Sequence, residues 1–183
     1  MFHRFVLWLW KPAFFRAVEL GDGQKAAELL ARFPGLVGAR TANDNTALHV
    51  AAAEGRTEIA KMLIEKGADV HSTNKSGWTP LHGAALFGHT PAIRLLIESG
   101  AKVDARDQGD NTPLLFASTK HKDAVQLLLE HGATVNAKNR PGNTPLSMVA
   151  GRLRDSGSSL SPADRAALSA VADVLFRHGA TKD

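Results

Sequence analysis

Eight histidines and eighteen acidic residues give this chain the raw material for acid–base catalysis or a metal site, but their spacing supports neither. Two histidines four residues apart on a helix would present both imidazoles on one face as metal ligands. No such pair occurs among His49, His71, His82, His89, His121, His131 and His178. The segment Asp107-Gln108-Gly109-Asp110-Asn111 has the acids of a calcium loop. Thr112 and Ser118 stand where such a loop needs its glycine and its closing glutamate. Gly21-Asp22-Gly23-Gln24-Lys25 lacks the spacing of a phosphate-binding loop, and no Gly-x-Ser-x-Gly element is present. The absence of cysteine removes thiolate nucleophiles, disulfides and cysteine-ligated zinc. The expectation is a protein with no catalytic residues, no cofactor and no metal.

What two of the histidines share is a place in a repeat. Thr46-Ala47-Leu48-His49 returns as Thr79-Pro80-Leu81-His82, Thr112-Pro113-Leu114-Leu115 and Thr144-Pro145-Leu146-Ser147, at intervals of 33, 33 and 32 residues. A second marker keeps the same frame: Gly67-Ala68-Asp69-Val70, Gly100-Ala101-Lys102-Val103, Gly132-Ala133-Thr134-Val135 and Gly179-Ala180-Thr181. The residue types read as a helical hairpin. A threonine at a helix start accepts an orphan backbone N–H, and proline fits the next position, where no N–H is needed. Leu81, Ala84 and Ala85, or Leu48, Ala51 and Ala52, give the first helix an apolar face that is small enough for close approach. A turn follows at Gly55 or Gly88. The second helix carries Ile59, Met62, Leu63 and Ile64, then Ile93, Leu95, Leu96 and Ile97, then Val125, Leu127, Leu128 and Leu129. Glycine stops it cheaply in the left-handed conformation. One such hairpin cannot bury its own apolar face, so the units must stack.

A period of 33 built on Thr-Pro-Leu-His resembles the ankyrin-repeat family. The resemblance covers about residues 13–182. It implies an all-α fold: a solenoid of stacked helix-turn-helix units joined by β-hairpin-like finger loops. It also implies that His49 and His82 hydrogen-bond between neighbouring loops. Residues 13–40 read as an N-terminal capping unit, with clear repeats at 41–73, 74–106 and 107–138. A modified last repeat spans 139–182. The third repeat is one residue short, and its inter-helix turn, Thr119-Lys120-His121, lacks a glycine. From Thr144 to Gly179 there are 35 residues against 21 in the first two repeats. The excess is placed near 151–162, as a loop through Ser156-Gly157-Ser158-Ser159 that carries Arg152 and Arg154. Ser161-Pro162-Ala163-Asp164 then opens a new helix.

Residues 1–12 form a separate apolar segment that contains Phe5-Val6-Leu7-Trp8-Leu9-Trp10. The run is shorter than a secretory signal or a membrane span requires. It is read first as packed on the first repeat, with membrane-surface or partner contact by residues 1–10 the less favoured alternative. Composition agrees with a soluble domain, at 44% hydrophobic and 22% charged residues. The net charge of +4 is scattered rather than blocked, so a nucleic-acid role starts weak. Lack of cysteine fits a cytoplasmic location.

The resemblance implies a non-catalytic module that binds a protein on its finger tips and first helices. Carried over by position, the contact candidates are Asn45, Trp78 and Asn111 before each threonine. Lys75, Arg106, Gln108 and Arg140 lie in the fingers, and Leu86, Phe87, Lys120 and Arg152 at the first-helix ends. Trp78, Leu86 and Phe87 stand out as an aromatic and aliphatic cluster where other repeats carry polar or small residues. Such a cluster is a candidate hot spot. Trp78→Ala is expected to weaken binding while costing little stability. The alternative function is binding of nucleic acid or another anionic surface through Lys75, Arg106, Lys120, Lys138, Arg140, Arg152 and Arg154. A monomer is expected.

Overall fold

The computed structural model describes the backbone of residues 2–155 and 160–181, and the side chains of residues 9–154 and 160–181. Ten α-helices among the described residues pair into five hairpins: α1 (Phe2–Leu20) with α2 (Gly23–Arg32), α3 (Ala47–Ala53) with α4 (Thr57–Glu65), α5 (Pro80–Phe87) with α6 (Thr90–Glu98), α7 (Pro113–Ala117) with α8 (Lys122–Glu130), and α9 (Pro145–Asp155) with α10 (Pro162–Arg177). A 3₁₀ turn, Pro34–Gly38, follows α2. Odd-numbered helices pack in one row and even-numbered helices in a second, each against its neighbour along the stack. This is the ankyrin solenoid that the repeat implied.

The core is continuous along the stack. Leu48, Leu81 and Leu114 from the first row and Leu63, Leu96, Leu128 and Leu175 from the second are fully buried. Each contributes about 1.5–3 kcal/mol by burial. Ala51, Ala52, Ala84, Ala85 and Ala117 are buried between helices of the first row, where a larger side chain would separate them.

His49 and His82 join one unit to the next. Nδ1 of His49 accepts the Thr46 N–H at 3.2 Å, and Nδ1 of His82 accepts the Thr79 N–H at 3.0 Å. The ring proton therefore sits on Nε2. From there His49 donates to the Trp78 carbonyl at 2.9 Å and His82 to the Asn111 carbonyl at 3.1 Å. Burial holds both imidazoles below their usual pKa, against the opposing pull of those carbonyls, and so keeps them neutral. The threonine hydroxyls of Thr46, Thr112 and Thr144 cap their helices by accepting the N–H three residues on. The hydroxyls of Thr46 and Thr79 also pair with Nδ1 of His49 and His82, at 2.8 and 2.9 Å. In the last unit the Ser147 hydroxyl accepts the Thr144 N–H in place of an imidazole.

The inter-helix turns explain the short third repeat. After α1, α3 and α5 the chain closes with an N–H reaching back five residues: Asp22 to Ala17, Arg56 to Ala51 and His89 to Ala84. That closure sets Gly21, Gly55 and Gly88 at positive φ. Arg56, His89 and His121 then lie over the preceding glycines. A Cβ on Gly55 would fall 2.6 Å from the His89 ring, and one on Gly88 would meet His121. After α7, one residue is missing and the His121 N–H reaches back only four residues, to Ala117 at 2.9 Å. This closure needs no left-handed residue, so Lys120 fits.

The fingers are narrow turns closed by backbone bonds: Thr41 to Asn45, Asn74 to Trp78, Asp107 to Asn111 and Asn139 to Asn143. They come in two kinds. Asp44 and Asp110 occupy the left-handed position at φ 60° in the first and third fingers, where Gly77 and Gly142 serve in the second and fourth. Only the first and third begin with arginine. Arg40 Nη1 donates to Asp44 O and Thr73 O, and Arg106 Nη1 to Asp110 O and Lys138 O.

Two boundaries differ from expectation. The helix α1 runs without interruption across the expected break after residue 12, with Pro12 inside it. Its second half, through the buried Phe14, Ala17 and Val18, is the first helix of the capping unit. The insertion is not all loop: residues 151–155 extend α9, so Arg152 and Arg154 sit on that helix's last turn. Helical growth satisfies backbone groups that a loop would leave to water. The expected loop at Ser156–Ser159 lies outside the described residues.

Candidate protein-binding groove

A hollow of about 410 Å³ opens between the fingers and the first row of helices. α1 contributes Phe15 and Glu19 to it, α3 contributes Val50 and Ala53 with its C-cap Glu54, and α5 contributes Gly83 and Phe87. Asn45, Asn74 and Trp78 of the fingers form the opposite wall. Gly83 makes the floor. A Cβ there would lie 3.3 Å from the Ala53 Cβ, so the missing side chain lets α5 approach α3 and leaves the floor open. Phe87 stands at the rim, 53% exposed, with its ring 6.4 Å from that of His89. Glu19 and Glu54 are also exposed. The groove is thus apolar at its base and carries two carboxylates.

Of the expected contact residues, Asn45, Trp78 and Phe87 line this groove. Trp78 is not the open aromatic that the sequence suggested. It is half-buried, its ring 4.7 Å from Phe116 and stacked on His82. Its indole N–H donates to Asp107 Oδ2 at 3.1 Å. Burial pushes the Asp107 carboxyl up, but hydrogen bonds from the Asn111 side chain and the Asn111 and Gly109 N–H groups outweigh it and leave the pKa below the usual range. Trp78→Ala would remove a stack and a charge-assisted bond, so the expectation of little stability loss does not hold.

The same position in neighbouring units is tied in the same way. Asn45 Oδ1 accepts from Asn74 at 2.8 Å, and Asn111 Oδ1 from Asn139 at 2.8 Å. These side chains hold each finger to the next. Arg106 braces carbonyls rather than facing solvent unpaired, which corrects its reading as an open contact. Gln108 Nε2 donates to the Lys75 carbonyl at 2.8 Å. Backbone bonds from Lys75, Gln108 and Arg140 to the preceding finger continue the ladder. The Lys75 side chain is exposed. The Arg140 guanidinium lies 3.7 Å from Asp110, and Lys120 lies 3.9 Å from Asp164 of α10. Leu86 is half-buried beside the groove, and Arg152 is exposed on α9, among neither the groove's walls nor its floor.

Sequence reasoning missed Phe15, Glu19, Val50 and Gly83. The signal was positional: Val50, Gly83, Phe116 and Met148 each follow the fourth residue of the repeated motif. A second, apolar hollow of about 450 Å³ lies at the far end, between α9 and α10, lined by Leu146, Val149, Leu153 and Phe176 with Arg154 beside them. No group of three or more metal-ligating side chains converges among the described residues.

Comparison with known proteins agrees with this architecture. The chain is 43% identical over 63 residues to E3 ubiquitin-protein ligase XB3 of Oryza sativa subsp. japonica, covering 34% of this chain and 14% of the ligase. It is 46% identical over 57 residues to the probable E3 ubiquitin-protein ligase XBOS31 of the same plant, covering 31% and 13%. It is 59% identical over 34 residues to human protein phosphatase 1 regulatory subunit 12A, covering 19% and 3%. The chain thus spans about a seventh or less of these relatives. The family model described as ankyrin repeats (three copies) matches residues 14–107 and 67–139. With motif, stacking and family match in agreement over most of its length, the chain belongs to the ankyrin-repeat family.

Proposed function

We propose that this protein is a non-catalytic binding module whose protein partner lays an apolar side chain, flanked by a basic one, into the groove between Phe15 and Phe87. Ankyrin repeats generally mediate protein–protein interaction, and the ligase and phosphatase-regulating roles of the relatives are not carried over. The observation that carries the reading is Phe87: a large aromatic side chain, half exposed, at the rim of an apolar floor beside Glu19 and Glu54. Exposed aromatics that can be desolvated against a partner dominate binding energy. Two nearby carboxylates favour a basic neighbour and disfavour a phosphate backbone. A monomeric, cytoplasmic form belongs to the same proposal.

Phe87→Ala is the probe, because this side chain is half exposed, whereas Trp78→Ala would disturb the fingers. A displayed random-peptide library selected on the intact protein should yield segments with an apolar residue next to Lys or Arg. Their affinity should fall about 30-fold in Phe87→Ala, equivalent to about 2 kcal/mol, with an unchanged melting temperature. Peptides that bind both proteins equally would defeat the proposal. The anionic-surface alternative is weaker, because the Arg106 guanidinium is engaged with carbonyls and Arg140 lies near Asp110. Strong retention on heparin that falls steeply with salt would revive it.

A further inference from the structure

The first row of helices shows the same two places to solvent in every repeat. The fourth and eighth residues after the threonine that opens α3, α5, α7 and α9 are partly or fully open, Gly83 excepted. Residues four apart on a helix share a face, so Gly83 with Phe87 and Met148 with Arg152 look the same way. The fourth place holds Val50, Gly83, Phe116 and Met148, which carries an apolar floor beyond the groove as far as α9. The eighth holds Glu54, Phe87, Lys120 and Arg152.

The charge beside that floor changes sign along the stack. Glu54, the C-cap of α3, is exposed at one end, and Arg152 is exposed on α9 at the other, with Phe87 between them. Neither Glu54 nor Arg152 has an ion pair among the described residues. Their neighbours are partly engaged: Glu19 lies 3.7 Å from Arg16, and Lys120 lies 3.9 Å from Asp164, exposed pairs of small worth. Two unpaired charges of opposite sign at the ends of an apolar strip attract a segment of the opposite order and repel its reverse. Glu54 disfavours a phosphate backbone, and Arg152 disfavours a segment that is basic throughout. Packed helices lie about 8–10 Å apart, so the steps from α3 through α5 and α7 to α9 span about 24–30 Å. An extended segment of about eight residues covers that distance at roughly 3.3 Å per residue.

We infer that the partner's bound segment runs the length of the first row, with a basic residue over Glu54, its apolar anchor against Phe87 and an acidic residue over Arg152. The inference rests on the Phe87 groove as the seat of the anchor, and adds to it the direction and reach of the segment. Phe116 and Met148 floor the stretch between, and Arg152, outside the groove, reads the far end.

The test is fluorescence anisotropy with a labelled peptide, selected on the intact protein from a displayed library long enough to span the row. The peptide should carry a basic and an acidic residue on opposite sides of its apolar anchor. Glu54→Lys and Arg152→Glu should each weaken it about fivefold, and by less as salt rises. Reversing the charge of the peptide's basic residue should rescue the first variant alone, and reversing its acidic residue the second alone. Arg152→Lys keeps the charge and should bind as the wild type does, and unchanged circular dichroism melts show that the variants fold. Equal binding by Arg152→Glu overturns the inference, and so does a loss that the reversed peptide does not rescue. Selection of peptides that are basic throughout overturns it as well. If Phe87→Ala still weakens the peptide while both charge reversals bind normally, the groove stands and only the direction and reach of the segment fail. A peptide indifferent to Phe87→Ala removes the groove itself, and the inference with it.

Discussion

His82 occupies a site where a side chain must serve two units at once. Its Nδ1 accepts from Thr79 in its own helix cap and its Nε2 donates to Asn111 in the next finger, so it works only while neutral. Burial lowers its pKa and that of His49. His121 is lowered by burial and, to a smaller degree, by Lys120 and His89, against a hydrogen bond to Leu86. The folded values lie below the unfolded one of about 6.5. The stability tied to them is therefore complete above that pH, and is lost as pH falls from there through the folded values. His82→Leu, the residue that Leu115 supplies one repeat later, should cost about 1–3 kcal/mol in urea unfolding at pH 7.5 by leaving two backbone groups unpaired. It should also flatten the decline in stability between pH 7.5 and 5. Parallel declines in variant and wild type would show that the bridge does not carry the pH response. Nothing in the residue order marks Trp78 and Asn111 as structural. Both precede a threonine at a position where exposure is usual, and only the neighbouring finger, 28 or 29 residues away, reveals the partner.

A turn can lose a residue only if its hydrogen bonds are redrawn, and the loop after α7 shows how. There the four-residue closure lets Lys120 stand where α3 and α5 are followed by glycine. Gly88→Ala should cost about 2–3 kcal/mol, since it combines a left-handed backbone with contact against the His121 ring. Adding His121→Ala should recover the part due to contact and leave about 1 kcal/mol for the backbone. Lys120→Ala should change stability by less than about 0.5 kcal/mol. If Lys120→Ala costs as much as Gly88→Ala, the two closures are not different. The missing glycine was readable in the sequence, but its reason was not, because the imidazole lying over each glycine comes from the next repeat. The extension of α9 was hidden for a related reason: Gly151 and the serines beyond it read as loop, while Leu153 packs partly against the core and draws the helix onward.

Along the whole molecule the units are not equally joined. Imidazoles bridge the first repeat to the second and the second to the third. Leu115 and Ser147 supply no such bridge further on, and packing thins between α7 and α9. In a stacked repeat, local stability follows nearest-neighbour interfaces. Amide exchange followed by mass spectrometry should therefore release α9 well before α5, and uniform protection across all five hairpins would contradict this. The period, the helix pairs and the buried leucines were legible in the sequence because each repeat restates them. The groove was only half legible, since its floor depends on Gly83 meeting Ala53 and its acidic rim on α1 lying beside α3. The two kinds of finger carry a last consequence. Arg40 clasps the first finger to the second and Arg106 the third to the fourth, while Trp78 and Gln108 span the middle by other means. The ridge therefore has a rhythm of two. Lengthening the array by duplicating a pair would preserve every clasp, but adding a lone unit would set like against like and leave one join without its guanidinium.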